Sequence, residues 1–401
     1  MSQIGRFIGA VLLVAGTAIG AGMLMLPVST GLSGFFPATF ILLVCWLYMT
    51  YTAFLMLEVS LWMPEESSLI SMAHSTLGRL GEAVSWAICL FLLYALTTAY
   101  IAGGGAISTD ILRSFFGREI PQYIGPAAIL ILLGGCVYRG TAAVDRLNRL
   151  LMVGLVLAYG ALVVVLTPHV EYQKLLYVHW PATLFGISVA ITSFGYHIVI
   201  PSLVTYLNRD IKQLKYTLFI GSLIPLLAYL YWQYLALGII PPQGECSLAS
   251  GHLTGSDGAS LLCQVIGRSS VNSVTKAFAF FAIITSFLGV SLSLYDFLAD
   301  GLKMQKQGYK KWVLYLLTFG PPILFTLVDP RAFLSALEYA GAFGVVILLA
   351  LMPALMVWSG RYRHGYKSEF KTVGGKPMLI LIIVIALGII VLECANKLGI
   401  V

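Results

Sequence analysis

Charged side chains are scarce in this sequence. Asp, Glu, Lys and Arg make up 10% of the 401 residues, hydrophobic residues make up 59%, and the mean hydropathy is +0.91. This composition excludes a soluble globular domain and indicates a protein that crosses a membrane several times. The net charge of +7 does not require a nucleic-acid partner, because basic loops that face anionic lipid account for it.

Motifs of catalytic chemistry are missing as well. The sequence has no HExxH, no GxSxG, no P-loop, and no cluster of His, Cys and carboxylate residues inside its apolar segments. We therefore predict that the protein is not an enzyme and uses no cofactor. A cleavable signal peptide is not predicted, since no compact apolar region precedes a small-residue cleavage site.

Cysteines number only six. Four lie in apolar segments, where a buried free thiol is expected: Cys45, Cys89, Cys136 and Cys394. Cys246 and Cys263 share the longest loop, residues 240–273, on the side predicted below to be outside. A disulfide between them is compatible with an oxidising compartment, and the sequence leaves that pairing open.

Long apolar runs dominate the chain instead. Most reach the ~18 residues that a helix needs to cross a hydrocarbon core. Because the runs are continuous and not alternating, we predict membrane-spanning α-helices and not a β-barrel. The eleven predicted spans are 6–31, 36–62, 83–112, 123–138, 149–167, 182–206, 216–239, 274–299, 311–327, 331–358 and 377–396.

The Lys and Arg residues are unevenly divided between the two sets of loops. With the N-terminus in the cytoplasm, 17 of the 24 fall on the inner side and 7 on the outer side. Because basic loops resist translocation, we predict a cytoplasmic N-terminus and a C-terminus outside.

Two predicted spans contain residues that break helices. The first reads GTAIGAGMLMLP over residues 16–27, and the sixth reads ITSFGYHIVIPSL over residues 191–203. Glycine and proline are poor helix formers. Breaks at equivalent positions five helices apart are typical of a transporter with an inverted repeat and a site halfway across the membrane.

A break in a membrane helix frees backbone groups that a ligand can use. Free N–H groups suit a carboxylate, and free carbonyls suit an ammonium or a metal cation. A zwitterionic amino acid needs both kinds of group. The alternative is that the glycines only allow close helix packing, and the spacing of Gly16 and Gly20 fits that motif. The second break favours a binding site.

Three segments together resemble one known family. AGTAIGAGMLMLP (15–27), ITSFGYHIVIPSL (191–203) and ITSFLGVSLSLYDFLAD (284–300) are similar to the first, sixth and eighth helices of the hydroxy and aromatic amino acid permeases. The chain is most similar to the tyrosine permease branch of that family.

The resemblance implies a particular fold and cellular location. The fold is a single all-α LeuT-like domain over residues 1–401, with inverted repeats at 1–167 and 182–358 and a peripheral eleventh helix at 377–396. The first and sixth helices are discontinuous. The location is a bacterial inner membrane, and the activity is uptake of an aromatic amino acid driven by a cation gradient.

The resemblance also implies which backbone groups hold the substrate. Its carboxylate meets amides in the first break, those of Ala21, Gly22 and Met23. Its ammonium meets carbonyls in both breaks, those of Ala18, Ile19, Ser193 and Phe194.

Several side chains are candidates for contacts with the substrate side chain. Phe194 and Tyr196 flank Gly195 and have the rings to stack on an aromatic substrate or to close over it; core packing is the alternative. His197 lies deep in a span, so it is a candidate to bind a tyrosine hydroxyl, to carry a proton, or to sit neutral between helices. In the third helix a hydroxyl of Tyr94, Thr97, Thr98 or Tyr100 is a candidate to bind the substrate carboxylate, with Tyr94 and Thr98 chosen, although periodicity does not settle which hydroxyl faces the site.

The sequence leaves open whether the coupling ion is sodium or a proton. Resemblance to sodium-coupled LeuT-type transporters implies a sodium cage of three carbonyls and two hydroxyls, from Gly16, Ile19, Ala282, Thr285 and Ser286, whereas the permease family is generally proton-coupled. Five oxygens without a carboxylate suit a monovalent cation, and no other metal site is predicted.

Acidic residues near the membrane are candidates for proton transfer or gating, because an unpaired carboxylate in hydrocarbon must be neutralised or paired. These candidates are Glu58, Asp296 and Glu338. For Glu58, pairing with a loop cation is the simpler interpretation. For Asp296 the alternatives are a gate salt bridge with Lys303 or Lys306 and a solvated helix end, and the sequence favours the solvated end.

The resulting prediction is a secondary active importer of aromatic amino acids, most of all tyrosine, that works by alternating access. Its partners are a small-molecule substrate and membrane lipid; the oligomeric state is not predicted. Alternatives are a serine, threonine or tryptophan permease of the same family, sodium-coupled transport, and an amino acid sensor that does not transport.

Overall fold

The computed structural model describes residues 3–64, 67–121, 123–329 and 331–398, and the secondary structure in these ranges is helical without any β-strand. The main helices are numbered here in chain order: α1 (Gln3–Ala18), α2 (Gly22–Thr30), α3 (Phe35–Trp62), α4 (Leu69–Phe116), α5 (Ile124–Arg139), α6 (Thr141–Leu166), α7 (Ile187–Ser193), α8 (Ile200–Tyr206), α9 (Ile211–Ile239), α10 (Leu248–Thr254), α11 (Gly258–Ile266), α12 (Ser269–Gly301), α13 (Gly308–Val328), α14 (Ala332–His364) and α15 (Gly375–Lys397).

Membrane-length helices account for most of the chain. Within the described ranges, nine helical segments are long and apolar enough to cross a membrane, and the bent pair α1 and α2 makes a tenth. These ten coincide with predicted spans. The fourth predicted span, 123–138, corresponds to α5, which is shorter and contains a π-helical stretch at Leu130–Gly134. The prediction of an all-helical, multi-pass membrane protein is confirmed, while the count of eleven spans stays a prediction.

Several helices extend beyond their predicted limits, α4 and α14 among them. α4 begins at Leu69 and not at 83, and it bends at Gly78, whose φ of 74° is one that glycine adopts without steric cost. α14 runs on past 358 to His364 and is π-helical over Ala340–Leu351. Apolar runs mark only the part of a helix that lies in hydrocarbon, so polar extensions escape prediction.

The centre of the bundle is formed by pairs of helices that pack closely. α12 packs against both α4 and α6, and α1 packs against α9. A Cβ atom on Gly154 of α6 would meet the ring of Phe281 at 2.6 Å, so this glycine lets α6 approach α12. α15, predicted to be peripheral, packs along α14, and its Glu393 accepts a hydrogen bond of 2.7 Å from Ser188 of α7.

Two short loop helices, α10 and α11, cover the end of α2. Asp257 caps α11 by accepting hydrogen bonds from the amides of Ala259 and Ser260 at 2.8 and 3.1 Å. Burial raises the pKa of the Asp257 carboxyl, and its hydrogen bonds oppose that rise. A Cβ atom on Gly258 would lie 3.1 Å from the Leu24 carbonyl oxygen. The loop between α9 and α12 therefore closes one end of the bundle.

Candidate functional site

Both predicted helix breaks are present. α1 ends at Ala18 and α2 begins at Gly22, and the two axes differ by 52°. α7 ends at Ser193 and α8 begins at Ile200. Gly20 lies in the first break and Gly195 in the second, whereas Pro27 lies inside α2 and Pro201 at the start of α8. The prediction of two discontinuous helices is confirmed.

A cavity of about 500 Å³ lies between the breaks. This volume is in the range of sites that hold small organic ligands. Its wall is largely apolar, and α4 and α14 contribute six of the apolar side chains: Leu92, Leu93, Leu96, Val345, Leu348 and Leu349. The backbone of both breaks completes the wall, with Gly20, Gly22 and Gly195 among the lining residues.

The cavity extends from the breaks toward the side of the membrane on which α1 begins. Leu12 of α1, Asn148 of α6 and Ser293 of α12 line it on that side. On the opposite side, Leu24 and Pro27 are buried beneath Gly258 of α11. The cavity is therefore accessible from the N-terminal side and closed on the side of the 240–273 loop.

The C-terminal ends of α1 and α7 both lie at the cavity and bring backbone carbonyls to it. Ala18 is the last residue of α1 and Ser193 is the last residue of α7, and both line the cavity. The hydroxyl of Tyr229 on α9 lies 2.6 Å from the Ala18 carbonyl oxygen and 2.9 Å from that of Ser193. The negative ends of two helix dipoles therefore meet at this point, an arrangement that favours a cation.

The amides of the first break are only partly available. The amide of Ala21 donates to the Ser286 hydroxyl at 3.0 Å, and the amide of Met23 donates to the Gly20 carbonyl at 3.1 Å. The amide of Gly22 has no acceptor among the described residues, and Gly22 lines the cavity. Of the three amides predicted to meet a carboxylate, Gly22 is the one in position, because the Ser286 hydroxyl engages the amide of Ala21 and a tight turn engages that of Met23.

The first break lies directly against α12. A Cβ atom on Gly20 would meet the Ser286 hydroxyl oxygen at 2.5 Å. That hydroxyl donates to the Ala282 carbonyl at 2.9 Å, and Thr285 donates to the same carbonyl at 3.2 Å. The predicted cation-cage residues of α12 are thus hydrogen-bonded to one another.

The remaining cage residues belong to the first break. Gly16 and Ile19 line the cavity, as do Thr285 and Ser286. A Cβ atom on Gly16 would lie 3.3 Å from the methyl carbon of Met152, so the thioether side chain of α6 packs beside that position.

The three aromatic residues around Gly195 are fully buried in the protein. Phe194 packs against the ring of Tyr229, with ring centroids 5.3 Å apart. Tyr196 packs against His197, whose Nε2 lies 2.9 Å from the Thr52 hydroxyl of α3. The structure directs these side chains to helix interfaces and does not bring them to the cavity wall.

The candidates on α4 also lie elsewhere. Tyr94 donates a hydrogen bond to the Leu317 carbonyl of α13 at 2.8 Å, and Thr98 donates to the Tyr94 carbonyl. Both line a separate, apolar pocket. Tyr100, on a different face of α4, lines the cavity beside Ser286. Rotation of the helix thus brings Tyr100, and not Tyr94, to the breaks.

The acidic candidates all have basic partners. Glu58 forms a buried ion pair with Arg361, and its Oε1 accepts from Nε of that arginine at 2.7 Å. Asp296 pairs with Lys306 at 2.7 Å and Glu338 pairs with Lys397 at 2.6 Å. These three pairs lie at helix ends and not at the cavity.

Sequence reasoning missed the polar face of α9. Tyr229, Trp232 and Gln233 lie one helical turn apart and reach the first broken helix; the indole of Trp232 donates to the Met23 carbonyl at 2.8 Å, and the amide of Gln233 donates to the Thr30 hydroxyl. A usable signal was present, since Tyr and Trp in membrane proteins concentrate at the interfaces and these lie in the middle of a span.

A bundle of membrane-length helices in which two broken helices enclose a cavity is the architecture of a membrane permease. The chain belongs to the tryptophan/tyrosine permease family, whose model matches residues 3–393. It is therefore an aromatic amino acid permease and not an enzyme.

Named relatives are similar over nearly the whole chain. The tyrosine-specific transport system 1 of Haemophilus influenzae is 33% identical over 392 residues, covering 96% of this chain and 95% of that protein. The tryptophan-specific transport protein of Pseudomonas aeruginosa is 32% identical and covers 94% and 91%. The tryptophan-specific transport protein of Haemophilus influenzae is also 32% identical and covers 98% and 96%.

Proposed function

We propose that this permease is a proton-coupled importer of tyrosine that works by alternating access in a bacterial inner membrane. The observation that carries the proposal is the meeting of two half-helix ends at one cavity, which Ala18 and Ser193, with their carbonyls, and Gly22, whose amide has no acceptor among the described residues, all line. The carbonyls suit the substrate ammonium, and the amide suits its carboxylate.

The cavity wall supports an aromatic substrate. Leucine and valine side chains surround the space in which a ring would lie, and burial of an aromatic ring is strongly favourable. Tyr100 and Asn148 are among the polar side chains of this wall, which suits a substrate with a phenol hydroxyl. Tryptophan is the second candidate, because two of the named relatives are tryptophan-specific.

Alternating access is supported by the asymmetry of the cavity. In this structure the loop helices close one side while α1, α6 and α12 leave the other side accessible. With residues 1–167 and 182–358 as inverted repeats, a rocking motion exchanges the closed and open sides. The structure then corresponds to the state that faces the cytoplasm.

Proton coupling is supported by the contacts between the first break and α12. The Ala21 amide binds Ser286 directly and Met152 packs beside Gly16, so the protein itself joins the elements that a sodium ion would otherwise bridge. His197, buried beside Thr52, is the proposed proton carrier because an intramembrane histidine is a functional candidate by default. The carboxylate pairs at the helix ends are assigned to stability and gating.

Uptake into liposomes tests substrate and ion together. We expect purified protein to accumulate radiolabelled L-tyrosine when a proton gradient is imposed alone, and unlabelled tyrosine to compete better than tryptophan, serine or threonine. Sodium dependence at clamped pH would instead favour the cage at Thr285 and Ser286. Binding without counterflow exchange would indicate a sensor.

Thiol labelling tests the proposed orientation. Cys246 is exposed in the 240–273 loop, whereas burial raises the pKa of Cys263 to about 11. At pH 7.4 less than about a thousandth of Cys263 is thiolate, the reactive form. We therefore expect an impermeant maleimide to modify Cys246 in intact spheroplasts and to leave Cys263 largely unmodified, as measured by mass spectrometry. Labelling of Cys246 only after permeabilisation would contradict the orientation, and Cys246→Ser is the control.

A further inference from the structure

The hydroxyl of Tyr229 lies between the two broken helices. It is within 2.6 Å of the Ala18 carbonyl oxygen and 2.9 Å of the Ser193 carbonyl oxygen, and the Tyr229 side chain is fully buried. Each of these carbonyls belongs to the last residue of a half-helix, α1 or α7. Among the described residues, Tyr229 is the donor that reaches either carbonyl.

A phenol hydroxyl has one hydrogen to donate. It therefore satisfies the Ala18 or the Ser193 carbonyl at any moment, and the other carbonyl remains an acceptor. A buried carbonyl without a donor is energetically costly. An ammonium group carries three donors and a positive charge, so it suits the acceptor capacity that one tyrosine leaves unfilled.

The Tyr229 hydroxyl reaches these carbonyls from outside the cavity. Ala18 and Ser193 line the cavity, whereas Tyr229 does not, and its ring packs against Phe194. A ligand in the cavity and the phenol on α9 therefore reach the same two oxygens from different directions. Since a carbonyl oxygen has two lone pairs, both contacts can exist together.

Neighbouring side chains hold α9 in register with the first broken helix. Trp232 binds the Met23 carbonyl at the start of α2, and Gln233 binds the Thr30 hydroxyl at the end of the same helix. With Tyr229 they form a row of three hydrogen-bond donors along one face of α9. This row fixes the position of the phenol relative to both α1 and α2.

We propose that Tyr229 is a positioning residue that holds the Ala18 and Ser193 carbonyls at the spacing required to bind the ammonium group of the substrate. The inference rests on the proposed function, since it concerns how the same site recognises an amino acid. The carbonyls that recognise the substrate amine are thus positioned by a side chain outside the cavity wall. Without the phenol hydroxyl, no donor among the described residues bonds the carbonyls of both half-helix ends.

Ligands with and without an amine test the assignment in detergent-solubilised protein. We expect Tyr229→Phe to weaken the binding of L-tyrosine by about tenfold or more, because a hydrogen-bonded arrangement that serves a charged group is lost. The same variant should change the binding of 3-(4-hydroxyphenyl)propanoate, which lacks the amine, by less than about twofold. Equal weakening of both ligands, or of neither, would overturn the assignment.

Tyr315→Phe is the matched control. Tyr315 also donates its hydroxyl to a backbone carbonyl on another helix, that of Leu130 at 2.9 Å, but both residues lie away from the breaks. This variant should bind both ligands as the wild type does. The wild-type measurement separately tests the proposed function, since a protein that binds no aromatic amino acid refutes that function on its own.

Hydrogen exchange tests, without any ligand, whether Tyr229 holds the two half-helix ends together. We expect the amides of residues 18–22 and 193–199 to exchange at least about tenfold faster in Tyr229→Phe than in the wild type, because the two half-helix ends are no longer joined. The Tyr315→Phe variant should leave those amides unchanged. Unchanged exchange at both breaks in Tyr229→Phe would overturn the proposal, whatever the substrate proves to be.

Discussion

A Gly20→Ala variant is expected to lower the transport efficiency, kcat/KM, by about 10- to 100-fold. The added Cβ atom would lie 2.5 Å from the Ser286 hydroxyl oxygen, closer than side chains tolerate. Overpacking of this kind costs about 1–3 kcal/mol. Either Ser286 turns away and releases the Ala21 amide, or the first break moves off α12, and both changes displace the backbone groups at the cavity.

The Ser286→Ala substitution tests whether this clash causes the loss of transport in Gly20→Ala. Removing the hydroxyl leaves the Ser286 Cβ at 3.7 Å from the added atom, an ordinary contact distance. The double variant should therefore transport better than Gly20→Ala alone, although Ser286→Ala by itself loses the hydrogen bond to Ala21. Gly160→Ala is the control, since no atom lies within 4 Å of an added Cβ there. Additive losses in the double variant would argue against a direct clash.

The positions of the two breaks were predictable from sequence because the causes are local. Gly20 and Gly195 interrupt apolar runs, and Pro201, at the start of α8, cannot continue the hydrogen-bond ladder from the preceding turn. Membrane spans were predictable for a similar reason, since each must carry enough apolar residues to cross the hydrocarbon. These features depend on the residue types within a single segment.

The rotation of each helix was not predictable in the same way. Tyr94 and Tyr100 are both tyrosines in one span, and only packing against α12 and α13 decides that Tyr100 reaches the cavity. In a helix surrounded by lipid and apolar neighbours, a hydrophobic stripe does not indicate which face of the helix points to the cavity. The same uncertainty applied to Tyr196 and His197, which face α3 and α9 and not the cavity.

Contacts between distant segments were hidden from sequence. Tyr229 reaches the Ala18 carbonyl across 211 positions of the chain, and that carbonyl is available only because α1 ends there. Glu58 and Arg361 are 303 positions apart. The sequence indicated that Glu58 needs a partner in the membrane but offered no means of choosing among the basic residues on the same side.

The buried pair of Glu58 and Arg361 should contribute strongly to stability when one partner is removed. Their side chains are 2% and 5% exposed, and the Thr372 amide adds a hydrogen bond of 2.7 Å to Oε2 of Glu58. We expect Glu58→Gln to destabilise the protein by about 3–5 kcal/mol, because Arg361 is then buried without a counter-charge. Thermal unfolding of the purified protein, followed as loss of monodisperse material, measures the effect.

Two further variants test whether the loss of stability comes from an unpaired buried charge. Glu58→Leu combined with Arg361→Met should unfold within about 1–2 kcal/mol of the wild type, since no unpaired charge remains. Asp296→Asn breaks the pair with Lys306, whose side chains are 38% and 43% exposed, and should cost less than about 1 kcal/mol. If Glu58→Gln were no more damaging than Asp296→Asn, solvent or lipid headgroups would have to reach Arg361, and the pair would not join α3 to α14 as a desolvated contact.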